Sequence, residues 1–165
     1  MMCTNQNQYM EYLIEEYSDM VYRLAMSRTR NKEASEDVYQ EVFFRIAKKR
    51  PEFADKEHEK AWLIRVTINC SKNILGDKFM KHNVAEINAS CQDDETFPDR
   101  NDEKNDLYYA VLELPLKDRT VIYLFYYEGY KIEEISKILK LNENTVKAQL
   151  SRARQKLKEK MYCLD

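Results

Sequence analysis

Glycine and proline are almost missing from this chain: 2 and 3 in 165 residues. Sheet-rich folds draw on both at their turns, so the scarcity disfavours sheet and predicts an all-α fold. No apolar run approaches the roughly 20 residues needed to cross a bilayer, so no membrane insertion is expected. Residues 1–8 have neither the basic start nor the apolar stretch of an export signal, and a cytoplasmic location is expected. The four cysteines, Cys3, Cys70, Cys91 and Cys163, form no CxxC pair and no metal spacing. That excludes a zinc framework and a disulfide scaffold and predicts free thiols. The two histidines, His58 and His82, sit in charged surroundings without ligand spacing. Glu57-His58-Glu59 reads as a solvated run. With no nucleophile arrangement and no glycine-rich phosphate loop, no catalytic residue, metal or cofactor is expected.

What the chain does have is apolar residues, at 44%, enough for a core. Its length allows one medium domain or two small ones. The net charge of −2 conceals a partition. Residues 1–79 balance 13 basic against 13 acidic side chains, 80–104 hold 3 against 7, and 105–165 hold 11 against 9. Within 147–160, Lys147, Arg152, Arg154, Lys156, Lys158 and Lys160 face Glu159 alone. A local patch, not the total, sets attraction to phosphates. The weak total suits a protein delivered to DNA by a partner. Periodicity lapses over 81–105, an acidic stretch read as a linker between a first helical domain, 1–80, and a second, 106–165.

The first domain reads as three or four helices. Leu13, Tyr17, Val21, Leu24 and Arg28 repeat at helical spacing over about 8–30. Asn31-Lys32 is expected to turn the chain. A second helix starts near Ser35-Glu36-Asp37, with Val38, Val42 and Ile46 inward, widened by Phe43 and Ala47. Pro51 and the charged run to Lys60 form a connection. A third helix spans about 61–80, with Ala61, Ile64, Ile68 and Leu75 inward and Trp62 as a core anchor. Its other side gathers Arg65, Asn69, Lys72, Asn73 and Gly76, at offsets of 4, 7, 8 and 11. Such a set suits phosphates, sugars and base edges, and equally suits a solvated face.

The second domain begins with a helix over about 106–114, ended by Pro115. Residues 119–127 form another, with Val121, Ile122, Leu124 and Phe125 mostly buried. Glu128-Gly129-Tyr130 turns into a short helix over 132–139. Asn142 is the expected N-cap of a last helix over about 143–161, with Val146, Leu150, Ala153 and Leu157 inward. Lys147, Ser151, Arg152, Arg154 and, in part, Gln149 point elsewhere. Two helices joined by a tight turn, the second basic, is how a helix-turn-helix protein addresses a major groove. Three-helix cores without DNA share the pattern, but the dense basic end favours DNA.

Taken together, the motifs resemble those of bacterial RNA polymerase sigma factors of the extracytoplasmic-function (ECF) group within the sigma-70 family. Ser35-Glu36-Asp37-Val38-Tyr39-Gln40-Glu41-Val42-Phe43 is similar to the family's clamp-binding motif. Residues 61–69 are similar to its melting-region helix. Leu114-Pro115, Arg119, Glu128-Gly129, Glu133-Glu134-Ile135, Thr145-Val146-Lys147 and Arg152-Ala153-Arg154 are similar to its helix-turn-helix domain. The resemblance implies region 2 over 1–80 and region 4 over 106–165, in a factor that brings core polymerase to promoters and assists melting.

It also implies roles. Asp37, Gln40 and Glu41 would contact the clamp of the polymerase's largest subunit, with Phe43 and Phe44 as packing or interface groups. Arg65, Asn69, Lys72 and Asn73 would meet the −10 element as it melts, with the loop over 53–60 helping to form a base pocket. Lys147, Gln149, Ser151, Arg152 and Arg154 would address the −35 element in duplex DNA, Arg152 first for base readout and Arg154 for phosphates. An anti-sigma partner is implied too. Lys131 stands where a capping serine is common, Lys140 where glycine is common, and Gln149 where arginine is common. The alternative is a stand-alone helix-turn-helix regulator that does not bind core polymerase, although the first domain lacks the strand pattern of a receiver.

Overall fold

The computed structural model describes the backbone of residues 2–81 and 103–163, and the side chains of 5–77 and 106–163. The chain divides into two compact units, Met1–Ser90 and Cys91–Asp165. All regular structure among the described residues is helical, as the shortage of glycine and proline predicts. Most of the stretch read as a linker, 81–105, lies outside the described residues.

In the first unit, α1 (Met2–Thr29), α2 (Lys32–Lys49) and α3 (Lys56–Lys81) pack on one another. α1 buries Leu13, Tyr17, Met20, Val21 and Leu24, a stripe at the helical period. It closes through Arg30, left-handed at φ 53°, whose N–H reaches the Met26 carbonyl at 2.9 Å. The expected turn at Asn31-Lys32 contracts to a cap. Asn31 Oδ1 accepts the Ala34 N–H at 2.8 Å, so α2 starts three residues before Ser35. Ser35 is buried and bonds Thr29 Oγ1 at 2.6 Å and the Asn31 carbonyl at 2.7 Å, locking the corner. Val38, Val42, Phe43 and Ile46 face inward, but Ala47 is exposed.

The third helix departs most from expectation. The run read as a connection is its first turn, because Asp55 Oδ1 accepts the His58 N–H at 2.7 Å and starts the helix at Lys56. Its buried side is Leu63, Ile64, Thr67, Cys70 and Ser71, whereas Ala61, Ile68 and Leu75 are only half-buried. The apolar count misled because two hydroxyls line the inner face. Thr67 Oγ1 donates to the Leu63 carbonyl at 2.8 Å and Ser71 Oγ to the Thr67 carbonyl at 2.7 Å, so both are satisfied within the helix.

The second unit comprises α4 (Glu103–Leu112), α5 (Leu116–Ile122), α6 (Ile132–Leu139) and α7 (Glu143–Tyr162), with α7 packed on the other three. Arg119, buried at 4%, donates from Nη1 to the carbonyls of Leu112 and Leu114 at 2.9 and 2.7 Å. It therefore closes the end of α4 from within the next helix. α5 runs into a π-helical turn over Tyr123–Tyr127, which ends with the Glu128 N–H on the Tyr123 carbonyl at 3.2 Å. Gly129 then takes φ 70°, a conformation that favours glycine. α6 buries Ile135 and Ile138, and α7 buries Val146, Leu150 and Ala153, with Leu157 half-buried.

The helix ends follow local chemistry. Asn142 Oδ1 accepts the Asn144 N–H at 2.8 Å and caps α7 as expected. At α6 the Glu134 carboxylate accepts the Lys131 N–H at 2.8 Å. The reciprocal half of a capping box is lacking there, since an ammonium has no acceptor. Lys140 adopts φ 54° where glycine is usual, at a cost on the order of 1 kcal/mol, and its charge suits the negative helix end.

Candidate partner and nucleic-acid interfaces

α2 turns a mixed acidic stripe to solvent. Asp37, Gln40, Glu41 and Phe44 sit at offsets of 3, 4 and 7, so they share one face. Asp37 and Gln40 are exposed, and Phe44 keeps 60% of its surface open. Glu41 is half-buried and pairs with Arg45 Nε at 2.6 Å, which holds the Arg45 pKa above its ordinary value. The two phenylalanines part company: Phe43 is 8% exposed with its ring 4.8 Å from that of Tyr39, leaving Phe44 as the surface apolar group.

On α3, Asn69, Lys72, Asn73 and Gly76 are exposed side by side, and Arg65 is half-buried at their edge. The segment before them is built differently from its sequence reading. Phe53 packs edge-on against Trp62 at 5.5 Å and against His58 at 5.6 Å. Trp62 is half-buried. Glu59, read as part of a solvated run, is only 6% exposed. Its Oε1 accepts the Tyr17 hydroxyl at 2.8 Å and that of Tyr12 at 3.2 Å, and its Oε2 accepts that of Tyr9 at 2.8 Å. Burial first, then the bond to this carboxylate, pushes the Tyr9 and Tyr17 phenols well above their ordinary pKa. Three partners some 40 to 50 residues away in sequence make this a tertiary contact that no local pattern announces.

α7 carries the second interface. Asn144, Lys147, Ala148, Ser151 and Arg152 are all exposed on its outer side. Asn144 and Ala148 escaped the sequence reading, which weighted charge; the offsets of 3 and 4 from Asn144 to Lys147 and Ala148 would have found both. Gln149 requires a correction. It lies on the inner stripe, 4% exposed, and its Oε1 has no hydrogen-bond partner among the described residues. Three residues after Val146 and four before Ala153, it follows the core period rather than the surface one.

The cations beyond are tethered. Asp118, at the start of α5 and 3% exposed, lies 3.7 Å from Arg152 Nη2 and 3.3 Å from Lys156 Nζ. Arg152 still exposes 61% of its side chain. Lys160 pairs with Glu113. Arg154 donates from Nε to the Tyr126 hydroxyl at 2.8 Å, with its guanidinium 5.3 Å from the Phe125 ring centre and 5.6 Å from that of Tyr126.

Comparison with known proteins gives matches to two family regions, two relatives and one solved structure. Residues 13–78 match the family described as sigma-70 region 2, and residues 104–157 match sigma-70, region 4. The chain is 30% identical to the RNA polymerase sigma factor SigV of Bacillus subtilis over 85% of its own length and 83% of that protein. It is 24% identical to the ECF RNA polymerase sigma factor SigX of the same organism, covering 93% and 84%. Among solved structures it is similar in fold to the sigma factor RpoE of Bartonella quintana, crystallised with the anti-sigma factor NepR. The TM-score there is 0.73 at 19% identity, over 92% of this chain and 96% of that one.

Proposed function

Because the chain belongs to the ECF group of the sigma-70 family, a sigma factor in its own right, we propose that the acidic stripe of α2 docks on core RNA polymerase while α3 and α7 meet promoter DNA. The domain division that goes with this is 1–80 for region 2, 81–105 for the linker and 106–165 for region 4. Asp37, Gln40, Glu41 and Phe44 form a compact acidic, amide and apolar surface suited to a basic helical partner, the clamp of the largest subunit. Phe43 supports it from inside. Asn69, Lys72 and Asn73, with Arg65 at the edge, face the −10 element as its strands part, where amide and cationic groups offset the cost of an unstacked base.

The −35 element goes to α7. The observation that carries the proposal is the outer side of this helix, where Asn144, Lys147, Ala148 and Ser151 stand clear of the core with Arg152 and Arg154 flanking them. A helix end of this shape and charge fits a major groove. Arg152 can swing from Asp118 to a guanine edge, since the pair is long and the side chain open. The reacting groups and the metal of RNA synthesis belong to the polymerase in this scheme. Work in the cytoplasm and restraint by an anti-sigma partner complete it. The stand-alone regulator loses its footing, because a region 2 match occupies the first unit.

The test is retention of purified core polymerase by the tagged full chain, with Asp37→Lys and Glu41→Lys combined. The pair of reversals is expected to lower retention at least tenfold, equivalent to about 1.4 kcal/mol or more. The emission of Trp62, the one tryptophan, is expected to stay native. Undiminished retention would remove the stripe from the interface.

A further inference from the structure

Arg154 lies on one stripe of α7 with Lys147, Ser151 and Lys158, at offsets of 4, 7 and 11 from Lys147. Lys147, Ser151, Arg154 and Lys158 are all exposed. Yet Arg154 is held in place by two aromatic side chains. Its Nε donates to the Tyr126 hydroxyl, and the Phe125 and Tyr126 rings flank the guanidinium. A guanidinium has five N–H donors, and only the Nε–H is engaged here among the described residues. The four donors on the two terminal nitrogens stay available, on a fork whose tilt is fixed from behind.

The spacing gives the fork an object. At 1.5 Å per residue, Arg154 stands about 10 Å further along the axis than Lys147. The major groove is about 12 Å wide. A duplex that takes Lys147 at the groove floor therefore brings its phosphate wall to the level of Arg154. Tyr126 is 57% exposed and belongs to the π-helical turn, a distortion that recurs at functional places. We propose that Tyr126 is a positioning residue: with Phe125 it aims the free nitrogens of Arg154 at a DNA phosphate flanking the −35 groove. This rests on the reading of α7 as the duplex-facing helix.

Phosphate contacts are blind to sequence, so the probe is a fluorescein-labelled duplex of random sequence, titrated with the full chain by anisotropy at several potassium chloride concentrations. Arg154→Ala is expected to reduce the slope of log K against log salt by about one. Tyr126→Phe keeps the ring and removes the acceptor; it is expected to weaken binding about three- to tenfold with little change in slope. Arg154→Lys keeps the charge and loses the fork, and should behave like Tyr126→Phe. In the Arg154→Ala background, Tyr126→Phe should have no further effect. An unchanged slope in Arg154→Ala, or wild-type affinity in Tyr126→Phe, overturns the inference. If Lys147→Ala lowers the slope and Arg154→Ala does not, α7 still faces DNA and only the role of Arg154 is lost. If the wild-type chain shows no salt-dependent binding, the duplex-facing reading falls, and the inference with it.

Discussion

Among the described residues each unit buries one carboxylate, and the two are neutralised in opposite ways. Glu59, in the first unit, is wrapped by the hydroxyls of Tyr9, Tyr12 and Tyr17, none of which carries charge. Asp118, in the second, faces Arg152, largely open to water, and Lys156, which is half-buried. A buried anion costs several kcal/mol unless its lone pairs are filled. Phenols fill them with neutral bonds of fixed direction, two of them at 2.8 Å, that salt does not screen. Cations fill them with longer, mobile pairs that leave the cations free to be shared. The first arrangement serves rigidity, pinning the start of α3 to α1. The second keeps two cations of α7 near their place without using up their charge.

The largest effect should come from breaking the phenol cluster. Glu59→Gln presents an amide N–H₂ where a hydroxyl proton now sits, so at least one phenol loses its acceptor. The expected loss is about 3 kcal/mol of first-unit stability, with little dependence on salt. Urea titration followed by Trp62 emission isolates this unit, since Trp62 is the only tryptophan and lies in α3. A loss below about 1 kcal/mol would mean that water replaces the carboxylate and that the cluster is not a structural pin.

Asp118→Asn is the matching break in the second unit and should cost less, about 1 kcal/mol, because the cations reach water and their long pairs are screened. The deficit should shrink as salt rises, which the Glu59 variant should not imitate. The same substitution frees Arg152 and Lys156. Binding to random-sequence duplex is expected to tighten about two- to fivefold at low salt, the effect of removing one nearby acid. An unaltered affinity would show that Asp118 does not compete with phosphate for these side chains, and the contrast between the two units would reduce to one of geometry.

The second unit was the more legible. α6 begins and ends where its sequence places it, over Ile132–Leu139, and α7 begins after Asn142, because a clear apolar stripe and, at α7, an asparagine cap are local signals. In the first unit the same rules missed the start of α3. Asp55, Lys56, Glu57, His58 and Glu59 look solvated, and only Tyr9, Tyr12 and Tyr17 of another helix make Glu59 a buried residue. Thr67 and Ser71 on the inner face hid the stripe of α3 for a related reason: their hydroxyls bond their own helix, which hydropathy does not count. The acidic stripe of α2 is marked by the family resemblance rather than by spacing, whereas the outer face of α7 follows from spacing except where charge outweighs period. Period alone brings Asn144 and Ala148 onto that face and turns Gln149 inward.

Gln149 offers the smallest and most discriminating test. The family resemblance makes this position a candidate for meeting DNA, although glutamine stands where the family pattern commonly has arginine. Here the side chain is buried, with an amide oxygen that finds no partner among the described residues. Leucine has nearly the same volume and no polar atom to satisfy. Gln149→Leu should therefore leave the second unit as stable or up to about 1 kcal/mol more stable, because a desolvated acceptor is removed. It should also leave affinity and salt slope on random-sequence duplex unchanged. Melting of the near-ultraviolet tyrosine signal and the anisotropy titration read the two quantities separately. If binding weakens while stability holds, Gln149 leaves the core to meet the duplex, and the inner stripe of α7 is a resting arrangement that DNA rewrites.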